Sequence, residues 1–205
     1  MKQLALLSDS TLQQADERLA GMVGPVTLCL AGEGETYEAL RLLVAELRSL
    51  NDLLEVQEEC SADADGLTPS LRLLDGWGRD TGIRYVGVPL GQELPVLLND
   101  LVATSRGGTS ISPLGRAQAR DLKGELLVFW TPGCPRCAHA VRLAHELALE
   151  GRDLRVTAVD ATLYPHLVRE YGAQTVPFFV WERRLAFPGP LPELLLLQRL
   201  QGEAD

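Results

Sequence analysis

The most concentrated chemistry in this chain lies in four residues, Cys134-Pro135-Arg136-Cys137. Two thiols three positions apart share one face of a helix, so they can alternate between a dithiol and an internal disulfide. The apolar run Leu126-Leu127-Val128-Phe129-Trp130 precedes them and a long helical pattern follows. A buried strand feeding a helix through Thr131-Pro132-Gly133 leaves Cys134 at the helix N-terminus. Backbone N–H groups there lack intrahelical partners and the macrodipole is positive. That setting favours thiolate over thiol and moves the cysteine pKa below its ordinary value. Arg136 adds positive charge, and Pro135 suits the first turn because its missing N–H would have had no partner. The chemistry is thiol–disulfide exchange: the outer sulfur attacks a disulfide and the inner one resolves the mixed disulfide.

The same spacing also serves as half of a zinc site, or the two cysteines simply pack. A structural zinc needs four ligands, and the chain offers no second cysteine pair at ribbon spacing. His139 and His145 follow on the same helical pattern, yet neither is three or four residues from Cys137, which argues against a shared metal face. No metal site is expected. Cys29 and Cys60 lie in apolar or mixed strand-like stretches and read as buried, inert thiols.

With 205 residues, the chain accommodates one large domain or two small ones. A net charge of −9 speaks against nucleic acid or an anionic membrane as partner, because phosphates would be repelled. Proteins are the expected partners. The first residues carry an apolar run too short for a signal-peptide core, and no stretch approaches the ~20 apolar residues of a membrane span. The expected location is the cytoplasm, where a C-x-x-C is more often catalytic or metal-binding than a structural staple.

The elements that must position the dithiol recur twice. In the first half, periodicity predicts a helix over Ser10 to Met22, a strand over Pro25 to Ala31 and a helix over Tyr37 to Leu50. Strands over Leu54 to Cys60, Ser70 to Leu74 and Ile83 to Val88 follow, then a helix over Gly91 to Ser105. The second half reads strand Leu126 to Thr131, helix Pro135 to Leu149, strand Leu154 to Ala161 and a short helix Tyr164 to Tyr171. Strands Phe178 to Glu182 and Leu185 to Phe187 and a helix Pro192 to Gln201 complete it. The two halves match in order at an offset of roughly one hundred residues, with one helix missing from the first. Thr68-Pro69 answers Val176-Pro177, and Gly87-Val88-Pro89 answers Pro188-Gly189-Pro190. The Gly-, Ser- and Thr-rich stretch Ser105 to Gly115 marks the junction. The expected organisation is a first unit over 1–106, a linker over 107–120 and a second unit over 121–205. The fold class is α/β: two tandem units packed together, each a small mixed four-stranded sheet flanked by helices.

These residues carry a resemblance. Val128 to Cys137, joined to Val176-Pro177 about forty residues on, resembles a thioredoxin-fold active site with its proline loop. The tandem chain resembles the glutaredoxin-like protein disulfide oxidoreductases and the N-terminal domain of the alkyl hydroperoxide reductase flavoprotein subunit. Gly82 to Leu94 is similar to a segment in the first unit of both groups. The resemblance implies Cys134 as nucleophile, Cys137 as resolving thiol and Pro177 as a cis-proline facing the dithiol. Proline is also the residue for which the cis form is accessible. Val176, Pro135, Arg136 and Trp130 are the residues expected to meet the substrate. Glu93 is expected near the dithiol of the other unit, where a desolvated carboxyl could take or return the proton of Cys137. It reads equally as a helix-terminus residue interacting with the dipole.

There are departures as well. The first unit has Gly32-Glu33-Gly34-Glu35-Thr36 where an active copy would carry cysteines, so one redox centre is expected. The chain contains no G-x-G-x-x-G, so flavin and nicotinamide machinery is not expected in it. The leading expectation is a dithiol–disulfide oxidoreductase needing no bound cofactor. It would accept electrons from a separate flavin-dependent disulfide reductase and pass them to a peroxiredoxin-like disulfide protein. The alternative is a redox-sensing interaction module with little turnover, docking through Glu33, Glu35 and Glu38. A protein that mainly oxidises or isomerises disulfides is a third reading, because direction depends on reduction potential.

Overall fold

The structure, a computed structural model, describes residues 5–58 and 65–202. Helix α1 (Asp9–Leu19) starts at Ser8, whose side chain accepts from the Thr11 N–H, and buries Ala15 and Leu19. Strand β1 (Val26–Ala31) leads to α2 (Glu35–Leu50), whose Leu40, Leu43, Val44 and Leu47 form a buried stripe. Strands β2 (Leu54–Gln57), β3 (Ser70–Leu74) and β4 (Asp80–Val86) follow. Helix α3 (Leu94–Arg106) ends at Gly107 in the left-handed conformation, which a glycine adopts without strain. The second half comprises α4 (Pro113–Ala119), β5 (Lys123–Trp130), α5 (Pro135–Glu150), β6 (Asp153–Asp160) and α6 (Pro165–Glu170). Strands β7 (Phe178–Trp181) and β8 (Leu185–Pro188) and helix α7 (Glu193–Gln201) close it. Helix α4 falls inside the stretch read as linker and is capped by Ser112, whose side chain accepts from the Gly115 N–H.

The α/β class and the tandem order are as the sequence implies, and the sheet goes one step further. Among the described residues, eight strands form a single sheet in the order β2-β1-β3-β4-β6-β5-β7-β8. Within each half the first strand pairs parallel with the second and antiparallel with the third: β1 with β2 and β3, β5 with β6 and β7. The halves meet edge to edge where β4 pairs parallel with β6, Ile83 opposite Val156 and Tyr85 opposite Ala158. An unpaired edge strand presents a row of unmatched N–H and C=O groups, and the two inner edges satisfy each other. The repeat extends to its corners. Thr68-Pro69 and Val176-Pro177 are both cis, and Gly87 N–H donates to Pro69 O as Gly189 N–H donates to Pro177 O, each at 2.9 Å.

Alternation along the strands sorts side chains to two faces. One face, with Leu28, Leu71, Tyr85, Val156, Val128 and Phe179, packs under the helices in a core that runs through both halves. The other face is most apolar in the second half, where Leu127, Phe129, Val159, Phe178 and Val180 meet Leu167 and Val168 of α6, and Leu67 and Val86 of the first half join that cluster. In the first half it carries Arg72 and Arg84, and Arg84 forms a buried ion pair with Asp65 at 2.6 Å. The helix missing from the first copy therefore leaves a polar face rather than an exposed apolar one. Cys29, on that face opposite Arg72, is disulfide-bonded, which corrects the expectation of an inert thiol; Cys60 lies outside the described residues.

Candidate active site

Trp130 ends β5, and the loop through Gly133 (φ +83°) turns the chain into α5. Cys134 is the N-cap residue of that helix, in extended conformation at φ −86° and ψ 103°, and Pro135 occupies the first turn. The Cys137 N–H, one of the donors a helix start leaves free, points at Cys134 Sγ at 3.3 Å. Cys134 and Cys137 form a disulfide across a Cα–Cα distance of 5.3 Å. The outer cysteine is half-buried, while Cys137 has no exposed surface. An incoming group therefore reaches Cys134, and Cys137 reacts only with what Cys134 holds.

The cis bond between Val176 and Pro177 brings the proline loop to this disulfide, with Cys134 Sγ 3.9 Å from Val176 O. Pro177 is buried and tied down through Gly189; Val176 is half-buried beside the sulfur. Pro135 and Arg136 are exposed on the approach to Cys134. Trp130, expected to meet the substrate, has no exposed surface, and its ring lies in the main core beneath the loop. It supports the loop and is not on the surface a substrate would meet.

The first unit contributes to the same corner through the loop between β4 and α3. A Cβ placed on Gly91 would lie 3.9 Å from the backbone N of Gly133, so this loop runs against the active-site turn. It ends at Glu93, the N-cap residue of α3, whose side chain makes no capping bond. Glu93 has no exposed surface, and neither carboxylate oxygen has a hydrogen-bond partner among the described residues. Burial, with the charge of Asp160 second, pushes its pKa up to about 8. Glu93 is thus an acid that holds its proton at neutral pH.

Two buried polar features of the strands and helices that carry the site escaped the sequence reading. Asp160 ends β6 opposite Trp130 and is only 5% exposed. The signal was an aspartate closing an apolar strand next to the strand that feeds the dithiol. The second is a buried network in which Tyr85 Oη donates to Asp100 Oδ2 at 2.5 Å and His145 Nδ1 lies 2.7 Å from the same oxygen. Its signal was an aspartate between Leu97 and Leu101 on α3, and a histidine two turns after Cys137 on the same face of α5. The network ties the redox helix to the first unit.

No family model matches the chain. It is similar to the F subunit of alkyl hydroperoxide reductase in Pseudomonas putida, 26% identical over 174 residues covering 82% of this chain and 32% of that protein. It is also similar to an NADH dehydrogenase of Bacillus subtilis (strain 168), 26% identical over 149 residues covering 72% of this chain and 28% of that protein. The chain spans about a third of the length of these curated relatives. Among solved structures, the NTD_N/C domain of alkylhydroperoxide reductase AhpF from Enterococcus faecalis superposes with a TM-score of 0.87 at 22% identity, over 95% of this chain and 99% of that one. A protein disulfide oxidoreductase from Aeropyrum pernix K1 gives 0.84 at 25% identity, over 96% and 93%. The chain is a tandem thioredoxin-fold protein. Its cysteine pair sits where a strand meets a helix N-terminus beside a cis-proline, and the enzyme class of such a pair is thiol–disulfide oxidoreductase. The first unit has Gly34 (φ +86°) as helix cap where the second has Cys134, with no side-chain capping bond. Among the described residues, no helix is long and apolar enough to cross a membrane.

Proposed function

We propose that this protein relays two electrons from a flavin-dependent disulfide reductase, a separate protein in this reading, to a peroxiredoxin-like disulfide protein in the cytoplasm. The observation that carries the reading is the asymmetry of the pair: Cys134 half-exposed at a helix N-cap, Cys137 sealed beneath it. In the reduced form, the Cys134 thiolate attacks one sulfur of the acceptor disulfide, and the other sulfur leaves with the electron pair. Cys137, its proton returning to the Glu93 carboxylate that gave one up when the dithiol was formed, then attacks Cys134 Sγ, expelling the acceptor's second thiolate and closing the internal disulfide. The donor restores the dithiol. Val176 offers its backbone to an extended acceptor segment, Pro177 holds that loop, and Arg136 and Pro135 frame the approach. No bound cofactor takes part. In this reading, residues 1–106 are a redox-silent unit that supplies Glu93, 107–120 join the units, and 121–205 carry the dithiol.

The names of the relatives, an alkyl hydroperoxide reductase subunit and an NADH dehydrogenase, support a link to peroxide reduction and NADH oxidation, and the dithiol's geometry supports disulfide exchange. The test is turnover of excess protein disulfide by reduced protein, recycled by a flavin reductase. Cys134→Ser should abolish it. Turnover that survives in this variant overturns the mechanism, and a single reaction per molecule in the unaltered protein favours the sensing module instead.

A further inference from the structure

The polar face of the first half continues across the junction between the units, where a cavity of about 220 Å³ opens over β4 and β6. Arg72 of β3 and Arg84 of β4 line it from the first unit, and Arg155 of β6 and Arg183 of the β7–β8 turn line it from the second. Three carboxylates share the cavity, and each already has partners. Asp65 accepts from two Arg84 nitrogens at 2.6 and 3.1 Å and from the Leu67 N–H at 3.0 Å. Asp80 accepts from the Gly82 N–H at 2.8 Å and lies 3.7 Å from Arg72, and Glu125 accepts from Arg183 Nε at 3.3 Å. Arg155 is exposed and, among the described residues, makes no hydrogen bond or ion pair. The cavity therefore holds one more positive side chain than negative, in a chain whose net charge is −9. Arg183 reaches it from a turn closed by the Arg184 N–H donating to Trp181 O at 3.0 Å. Glu182 and Arg183 both take left-handed backbone there, φ +50° and +56°, where glycine or asparagine is the ordinary choice.

We propose that this junction is a binding site for a compact oxyanion, a phosphate or a small carboxylic acid, held chiefly by Arg155 and Arg183. A guanidinium presents a planar fork of N–H donors that matches carboxylate or phosphate oxygens two at a time. Arg155 has its whole fork to give, and Arg183 uses only Nε on Glu125, which leaves its two terminal nitrogens for a ligand. The cavity is smaller than the roughly 300–1,000 Å³ typical of pockets for larger organic ligands, so it suits an anion of a few heavy atoms. The arginines come from both units, and an anion seated among them bridges the units over the β4–β6 ladder. A ligand that binds only this folded arrangement raises its stability by mass action. None of the residues that line the cavity belongs to the dithiol corner, so the site stands apart from the electron relay.

The experiment is calorimetric titration of the full chain with inorganic phosphate and, separately, with malonate, the ionic strength held constant with sodium chloride so that general screening is the same throughout. Saturable binding of at least one probe at one site per chain is expected, with a thermal unfolding midpoint that rises with probe concentration. Arg155→Gln and Arg183→Gln, changes at exposed side chains, should each weaken binding by about tenfold or more. Arg48→Gln, on α2 and paired with Asp52, lies outside the cavity and should leave it unchanged. Binding of phosphate alone assigns a phosphate ligand, binding of malonate alone a carboxylic acid, and binding of both a site that reads oxyanion charge; each supports the proposal. No saturable binding of either probe overturns it. Affinity that survives both Arg155→Gln and Arg183→Gln, or that falls as far in Arg48→Gln, overturns it as well.

Discussion

At the residue scale, the two cysteines differ in burial and therefore in role. Cys137→Ser leaves Cys134 able to attack but nothing to resolve the product, so the expected outcome is a stable one-to-one mixed disulfide with the acceptor. Intact-mass measurement under non-reducing conditions reads it, and release of reduced acceptor at the unaltered rate would contradict it. Glu93 makes a second prediction, through linkage. In the folded protein it holds its proton up to about 8, against an ordinary value of 4.5. Between those values the folded state binds more protons than the unfolded one, so stability falls as pH rises across that window and levels off above it. Thermal unfolding of Glu93→Gln should show a shallower decline from pH 5 to pH 8 than the unaltered protein. An identical slope in the two would mean that Glu93 is already ionised in the fold.

At the element scale, α5 does two jobs. Its N-terminus presents the dithiol, and its third turn anchors the helix to the first unit through His145, Asp100 of α3 and Tyr85 of β4. The Tyr85 and His145 rings also meet edge to face, with centroids 4.8 Å apart. Removing the tyrosine hydroxyl takes a hydrogen bond from a buried carboxylate. Tyr85→Phe should therefore destabilise the protein by about 1.5–3 kcal/mol, read from the midpoint of urea unfolding at unchanged slope. A change within error would show that Asp100 finds another donor. The periodic helices and apolar strands were legible in the sequence because their packing faces repeat at 3.6 or 2 residues. The network was not, because a lone aspartate and a lone histidine on apolar faces carry no such period.

At the scale of the whole molecule, the β4–β6 ladder and the helix-covered core join the halves into one sheet and one hydrophobic body. Separating them would expose two strand edges and much of that core together. The expected behaviour is a single cooperative unfolding transition. Tryptophan fluorescence, dominated by the buried Trp130 and Trp181 of the second half, should follow the same curve as far-ultraviolet circular dichroism, which reports both halves. Two resolved transitions would show that the units fold independently.

The sequence by itself determined what is local. Cys134-Pro135-Arg136-Cys137 at a strand-to-helix turn, the repeated order of elements and the loss of the second centre at Gly32 to Thr36 all follow from residue type, spacing and periodicity. The expectation that Val176-Pro177 and Glu93 lie by the dithiol came from resemblance, not from spacing. Tertiary structure alone decided that the units join through β4 and β6, that Trp130 and Asp160 are buried, and that Tyr85, Asp100 and His145 meet in one network between the units. Strand pairing and the burial of single polar residues depend on partners far along the chain, as with Tyr85 opposite Ala158 and Asp100 beside His145. No periodic signal along the chain encodes which of those partners will meet.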